Sequence, residues 1–164
     1  MNQKPTLHFF CGKMASGKST LAKSLAKEKH TILMAEDIWL SQLYPEEIND
    51  FNDYITYSRR LKSILSQHIQ DILSIGTSVV LDFPGNTRSQ RNWFRSIFES
   101  VKANHVLHYI IASDDLCKEQ LKIRSKDKPE GSAFTTEAEF AAITKYFQPP
   151  TPEENFNIKT YQKD

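Results

Sequence analysis

Five short apolar runs punctuate the chain: Thr6 to Cys11, Thr31 to Ala35, Ser78 to Leu81, His105 to Ala112 and a weaker one from Phe156 to Tyr161. Each has the length of a buried strand, and the stretches between them carry apolar residues at helical spacing. Leu21, Ala22, Leu25 and Ala26 mark a first helix after Ser19-Thr20. A long one runs from about Asp53 to Ile75, with Tyr57, Leu61, Ile64, Leu65, His68, Ile69, Ile72 and Leu73 on one face, and Gly76 offers a left-handed stop. Trp93, Phe94, Ile97, Phe98 and Val101 mark another, and Asp114 to about Arg124 a further one. The last opens on the box Thr136-Glu137-Ala138-Glu139 and closes near Phe147, before Pro149-Pro150. Strands alternating with helices require a parallel sheet covered on both faces, so the fold class is α/β, three layers deep. Ser125 to Thr135, with Lys126, Lys128, Pro129 and Gly131, reads as a mobile loop.

The first strand and first helix are joined by Gly12-Lys13-Met14-Ala15-Ser16-Gly17-Lys18-Ser19, an ungapped match to the phosphate-binding pattern G-x-x-x-x-G-K-[ST]. A triphosphate is densely negative, so its site must offer many backbone N–H groups at close range. Gly12 and Gly17 permit that approach, and the helix opening near Lys18 adds its positive end. Lys18 can reach the β- and γ-phosphates, and the Ser19 hydroxyl can ligate Mg²⁺. The nucleotide-binding segment is therefore Gly12 to Thr20, in which Lys13 reads as a solvated lysine.

Charge and length narrow the partners. The chain has 164 residues and a net charge of +1, from 21 basic and 20 acidic side chains. That suits a single domain over residues 1–164 and argues against duplex nucleic acid as a partner. Cys11 and Cys117 have no metal-ligand or disulfide spacing and read as buried thiols. No apolar run approaches the roughly 20 residues of a membrane span, and a soluble, cytoplasmic protein is expected.

Two acids end apolar runs where ligands of open α/β sheets collect, beyond the carboxyl ends of the strands. Asp82 is a candidate metal-site carboxylate, or a cap for the turn Asp82-Phe83-Pro84-Gly85. Asp37 is a candidate base facing the γ-phosphate, or an N-cap for Ile38-Trp39-Leu40. His8, His68 and His108 fall within strand or helix patterns and read as core or boundary residues, and Trp39 as core.

Taken together, Gly12 to Thr20, Asp37, the segment Val80 to Arg91, the run Ser113 to Arg124 and the ending Phe147 to Glu154 resemble the adenylate-kinase-like branch of phosphate-loop kinases. The similarity extends to small AAA-type ATP-binding proteins, polynucleotide 5′-kinase domains, zeta-toxin-type kinases and antibiotic phosphotransferases. It implies a five-stranded parallel sheet in the order 2-3-1-4-5 and ATP–Mg²⁺-dependent phosphoryl transfer to a hydroxyl or phosphate. Asp37 becomes the acceptor-side base, Ser19 and Asp82 the metal site, and Lys18 and Arg124 the groups that neutralise the transferring phosphoryl. Arg60, Asn86, Arg88 and Arg91 become candidates for the acceptor pocket, whose ligand the resemblance does not name. The region from Arg124 to Phe134 becomes a short lid, with lysines where many relatives have arginines. Monomer and homodimer stay equally open.

Two other classes compete. Asp82-Phe83-Pro84-Gly85 fits the D-x-x-G pattern of a GTPase switch, but Ala112-Ser113-Asp114-Asp115 stands where a guanine reader would be. A nucleotide-binding switch or NTPase without acceptor transfer is the other alternative.

Overall fold

The computed structural model describes residues 4–128 and 134–163. Five strands, β1 (Thr6–Cys11), β2 (Thr31–Ala35), β3 (Ser78–Asp82), β4 (Asn104–Ile111) and β5 (Ile158–Gln162), form one sheet in the order β2-β3-β1-β4-β5. Every pairing is parallel. The strand order matches the one the resemblance implies. Among the described residues, six α-helices connect the strands: α1 (Lys18–Leu25), α2 (Glu36–Leu43), α3 (Phe51–Ser74), α4 (Arg88–Ser100), α5 (Asp114–Ser125) and α6 (Glu137–Thr144). Of the loop expected from Ser125 to Thr135, residues 129–133 lie outside the described residues.

Local chemistry sets the helix starts. The Asp50 carboxylate accepts the Asp53 N–H at 2.8 Å, so α3 begins at Phe51, two residues before the expected start. Thr87 with Gln90, and Thr136 with Glu139, form reciprocal capping boxes at α4 and α6. Gly76 stops α3 with φ of 90°, as its sequence position suggested. Helix α2 had no periodic signal. It follows β2 without a loop, and its eight residues bury only Glu36 and Leu40.

Alternation along β1 divides the core. Leu7 and Phe9 face α3 and α4 and pack with Leu65, Ile69, Phe94, Ile97 and Leu107. Phe10 faces the other way, onto Ala22 of α1 and Val80 of β3. Cys11 and Cys117 are free, buried thiols, and burial pushes Cys11 up to about 11, so it stays protonated. Trp39 is half-buried against the larger cluster.

The α1 face of the sheet also holds a polar chain. His8 Nδ1 lies 2.9 Å from His108 Nε2, and His108 Nδ1 lies 2.8 Å from the Tyr161 hydroxyl, linking β1, β4 and β5. His68, by contrast, is exposed on α3. Burial, with the charges of His8 and Lys159, lowers His108 from 6.5 to about 4, and burial lowers His8 as well. Between those limits the unfolded chain binds protons that the folded chain refuses, so stability falls as pH drops from about 6.5 to about 4. His108→Gln should flatten the melting temperature against pH in that window. Parallel profiles for the two proteins would show that the histidine chain is not the source.

Candidate functional site

The loop between β1 and α1 is bent by two left-handed residues, Ala15 at φ 63° and Gly17 at φ 104°. Gly17 is required by its positive φ, which a side chain disfavours; the Lys163 ammonium, brought in from the end of β5, lies where a Cβ would go but can swing aside. Lys18 Nζ donates to the Gly12 carbonyl at 2.6 Å, and the Gly12 N–H is held by Asn86 Oδ1 at 2.9 Å. The Ser19 hydroxyl donates to Asp82 Oδ2 at 2.7 Å. Burial lowers the Lys18 ammonium, opposed by the charge of Asp82. Burial raises the Asp82 carboxyl, opposed by the Ser19 hydrogen bond and reinforced by Asp37.

These groups fit a phosphate–metal ligand. Among the described residues, the buried Ser16 hydroxyl inside the loop is left without a hydrogen-bond partner. An unpartnered buried hydroxyl, one ammonium and a hydroxyl–carboxylate pair at the start of a helix suit a triphosphate with a hard divalent cation.

The loop opens onto a cavity of about 610 Å³. Of the expected site residues, Lys13 to Thr20, Asp37, Asp82, Asn86 and Arg124 line it. Asp37 sits exposed in the first turn of α2, inside the helix and not at its N-cap, which is Ala35, and its Oδ1 accepts the Ile38 N–H at 2.9 Å. Arg124 is exposed in the last turn of α5. Lys13 is not simply solvated, because it pairs with Asp114 at 2.6 Å.

Three arginines expected in the acceptor pocket are elsewhere. Arg60 is exposed on α3 with its guanidinium 5.2 Å from the Tyr57 ring centre. Arg88 donates to the Thr151 hydroxyl at 3.0 Å. Arg91 is fully buried, bound to Glu154 at 2.8 Å and to the carbonyls of Gly85 and Gln148 at 2.9 and 2.8 Å. Burial would raise the Glu154 carboxyl, but hydrogen bonds from Arg91 and the Thr151 N–H, with the Arg91 charge, bring it below the usual carboxylate value.

The cavity also contains residues that sequence reasoning missed. Glu36 is buried beside Asp37 and accepts hydrogen bonds from the Tyr54 hydroxyl and, at 2.7 Å, from Ser58. Burial raises the Glu36 carboxyl, while Tyr54, Lys62 and Ser58 oppose the shift. Phe51, Tyr54, Phe134, Tyr146 and Phe147 form an aromatic wall. A long helix begun at Asp53 left Phe51 out, whereas the Thr87-x-x-Gln90 spacing was a visible cap that places Gln90 at the rim.

The fold and this loop define a phosphate-loop protein of kinase-like α/β fold. The chain belongs to the AAA domain family, whose model matches residues 7–150. No curated protein sequence matches it significantly. Among solved structures, a provisionally described kinase from Chloroflexus aurantiacus shares the fold, with a TM-score of 0.74, 19% identity, and coverage of 98% of this chain and 89% of that one. Kti12 from Chaetomium thermophilum in complex with ADP-AlF3 gives a TM-score of 0.68 at 12% identity, covering 97% and 88%. The Mycobacterium tuberculosis APS kinase CysC, in complex with AMPPNP and APS, gives 0.62 at 16%, covering 98% and 90%.

Because Arg91 is a buried ion-pair partner, Arg91→Ala should lower folding stability by about 3–5 kcal/mol, leaving Glu154 without its charge. Urea unfolding measures this. An unchanged midpoint would return Arg91 to the list of ligand-binding candidates.

Proposed function

We propose that this chain is a single-domain, ATP-dependent kinase acting over residues 1–164 in the cytoplasm. The observation that carries the reading is one cavity lined by Lys18, Ser19, Asp82, Asp37 and Arg124 together. The free thiols fit a reducing compartment, and no helix among the described residues is long and apolar enough to cross a membrane.

In this reading Gly12 to Thr20 hold the triphosphate through backbone N–H groups, with Lys18 on the β- and γ-phosphates. Ser19 and Asp82 hold Mg²⁺, which supplies charge neutralisation on the phosphate oxygens. Asp37 accepts the proton that the acceptor hydroxyl sheds as its oxygen bonds to the γ-phosphorus; the bond from that phosphorus to the departing ADP breaks in the same displacement. Arg124 neutralises charge spread over the equatorial oxygens, and such a cation is worth most where water is excluded. A GTPase switch is disfavoured by Ala112-Ser113-Asp114-Asp115 after β4, which is no guanine reader, and the glycine of the D-x-x-G match, Gly85, has a packing reason, since a Cβ there would collide with the Phe10 carbonyl.

Lys18→Ala should weaken ATP–Mg²⁺ binding about ten- to a hundredfold by calorimetry, since a charge-assisted contact is lost. Equal affinities would remove the loop from the nucleotide site. Asp37→Asn should keep ATP affinity within a fewfold but slow transfer by about 10²–10⁴. Full transfer by that variant would remove Asp37 from the role of base. Arg124→Ala should lower turnover more than nucleotide affinity, and a purely affinity-based loss would place it on the ground state instead.

A further inference from the structure

Sheet order fixes which way a nucleotide must lie. Asp82 closes β3 and Asp37 follows β2, both on one side of the phosphate loop. Strands β4 and β5 lie on the other side, so the nucleoside end of a bound nucleotide extends toward them. From that side the chain sends in a cation that the reading above does not use. Lys163, one residue past β5, donates its backbone N–H to the Ile111 carbonyl at 2.8 Å, which fixes its place beside the end of β4. Its side chain reaches back to the phosphate loop, where a Cβ on Gly17 would overlap the ammonium. With Thr20, Leu21, Ser24, Ile110 and Tyr161 it lines a hollow of about 230 Å³, and Thr20 is shared with the large cavity.

The ammonium stands where positive charge is already in excess. Gly17 is the N-cap of α1; the cap makes no side-chain hydrogen bond and the first turn contains no acid, so the helix presents its positive end without a local counter-charge. Burial, reinforced by Asp114, raises the Cys117 thiol, and the charges of Lys13, Lys18 and Lys163 oppose the shift, which places three ammoniums around one flank of the loop. Two of the three are matched: Lys13 pairs with Asp114 at 2.6 Å, and Lys18 has the charge of Asp82. Among the described residues, none of the ion pairs includes Lys163. A cation at the positive end of a helix is unfavourable until an anion joins the two. The buried Ser16 hydroxyl, without a partner among the described residues, marks the same need inside the loop.

Resting on the nucleotide site read above, we propose that Lys163 is a further ligand-binding residue, whose ammonium holds the α-phosphate of a nucleoside di- or triphosphate between the end of β5 and the start of α1. Lys18 serves the β- and γ-phosphates, which leaves the α-phosphate, the one joined to the nucleoside, for a cation arriving from β5. The Lys163 side chain is exposed and its four-carbon stem is flexible, so it can draw back from Gly17 to admit the phosphate and stay within hydrogen-bond reach of it. The contact is the same with ATP and with ADP, so it contributes to binding and not to the transfer step. Lys163 lies beyond residues 7–150, those the family model matches, so family membership alone does not supply it.

Calorimetry with ATP–Mg²⁺ and with ADP–Mg²⁺ tests this on wild type, Lys163→Met and Lys163→Arg. Lys159→Met, on the same strand, exposed and lining neither the hollow nor the large cavity, controls for net charge. Lys163→Met should weaken both nucleotides about tenfold and by the same factor, as loss of one charge-assisted contact at an exposed position predicts. Lys163→Arg should stay within about threefold of wild type and Lys159→Met within about twofold. Unchanged or tighter binding by Lys163→Met would overturn the proposal, making the ammonium a bystander or an obstruction. So would a loss confined to ATP, which would move the contact to the γ-phosphate, or an equal loss in Lys159→Met, which would reduce it to net charge. Failure of the wild-type protein to bind either nucleotide would strike the nucleotide site itself, whereas wild-type binding with an unaffected Lys163→Met strikes Lys163 alone.

Discussion

The site depends on two opposite charges held out of bulk water at the carboxyl ends of neighbouring strands. Lys18, just past β1, and Asp82, closing β3, are each disfavoured in their charged form by burial and each partly relieved by the other. Neither has its full hydration, and their hydrogen bonds go to groups of the protein itself: the Gly12 carbonyl for Lys18 and the Ser19 hydroxyl for Asp82. Preorganised charges of this kind interact strongly with a ligand that brings the complementary charge, because the cost of desolvating and orienting them was met on folding.

The supports of this arrangement reach across the chain. Asn86 ties the loop backbone to the start of α4, and its carbonyl accepts the Gln148 N–H at 2.8 Å. Gln148 in turn accepts the Arg88 N–H at 2.9 Å. Arg91 then fastens Gly85 and Gln148 to Glu154 from below. The segment after α6 therefore braces the phosphate loop through α4, and Phe147 at its head faces the cavity with Lys13 5.8 Å from its ring centre.

The strands, the loop and most helices were legible because their signals are local: apolar runs, 3.6-residue periods and caps. The glycine and lysine pattern carried the phosphate loop for the same reason. Arg88 and Arg91 were misplaced because a polar helix start does not reveal which arginines turn inward, and the Glu154 that binds Arg91 is 63 residues away. Helix α2 was legible only as a helix capped by Asp37; its start at Glu36 was not, since the burial of Glu36 depends on Tyr54 and Ser58, partners supplied by the later helix α3.

The central claim is that Asp82 and Ser19 form the metal half of a nucleotide site, and the raised Asp82 carboxyl supplies a direct readout. Calorimetry of ATP–Mg²⁺ binding in buffers of different ionisation enthalpy counts the protons released. Metal binding requires the carboxylate, so wild-type protein should release more protons as the pH is lowered toward the raised Asp82 value, and affinity should weaken in parallel. Asp82→Asn should lose that extra release along with most of the Mg²⁺ dependence of ATP binding. Identical proton counts and identical Mg²⁺ dependence in the two proteins would contradict the account.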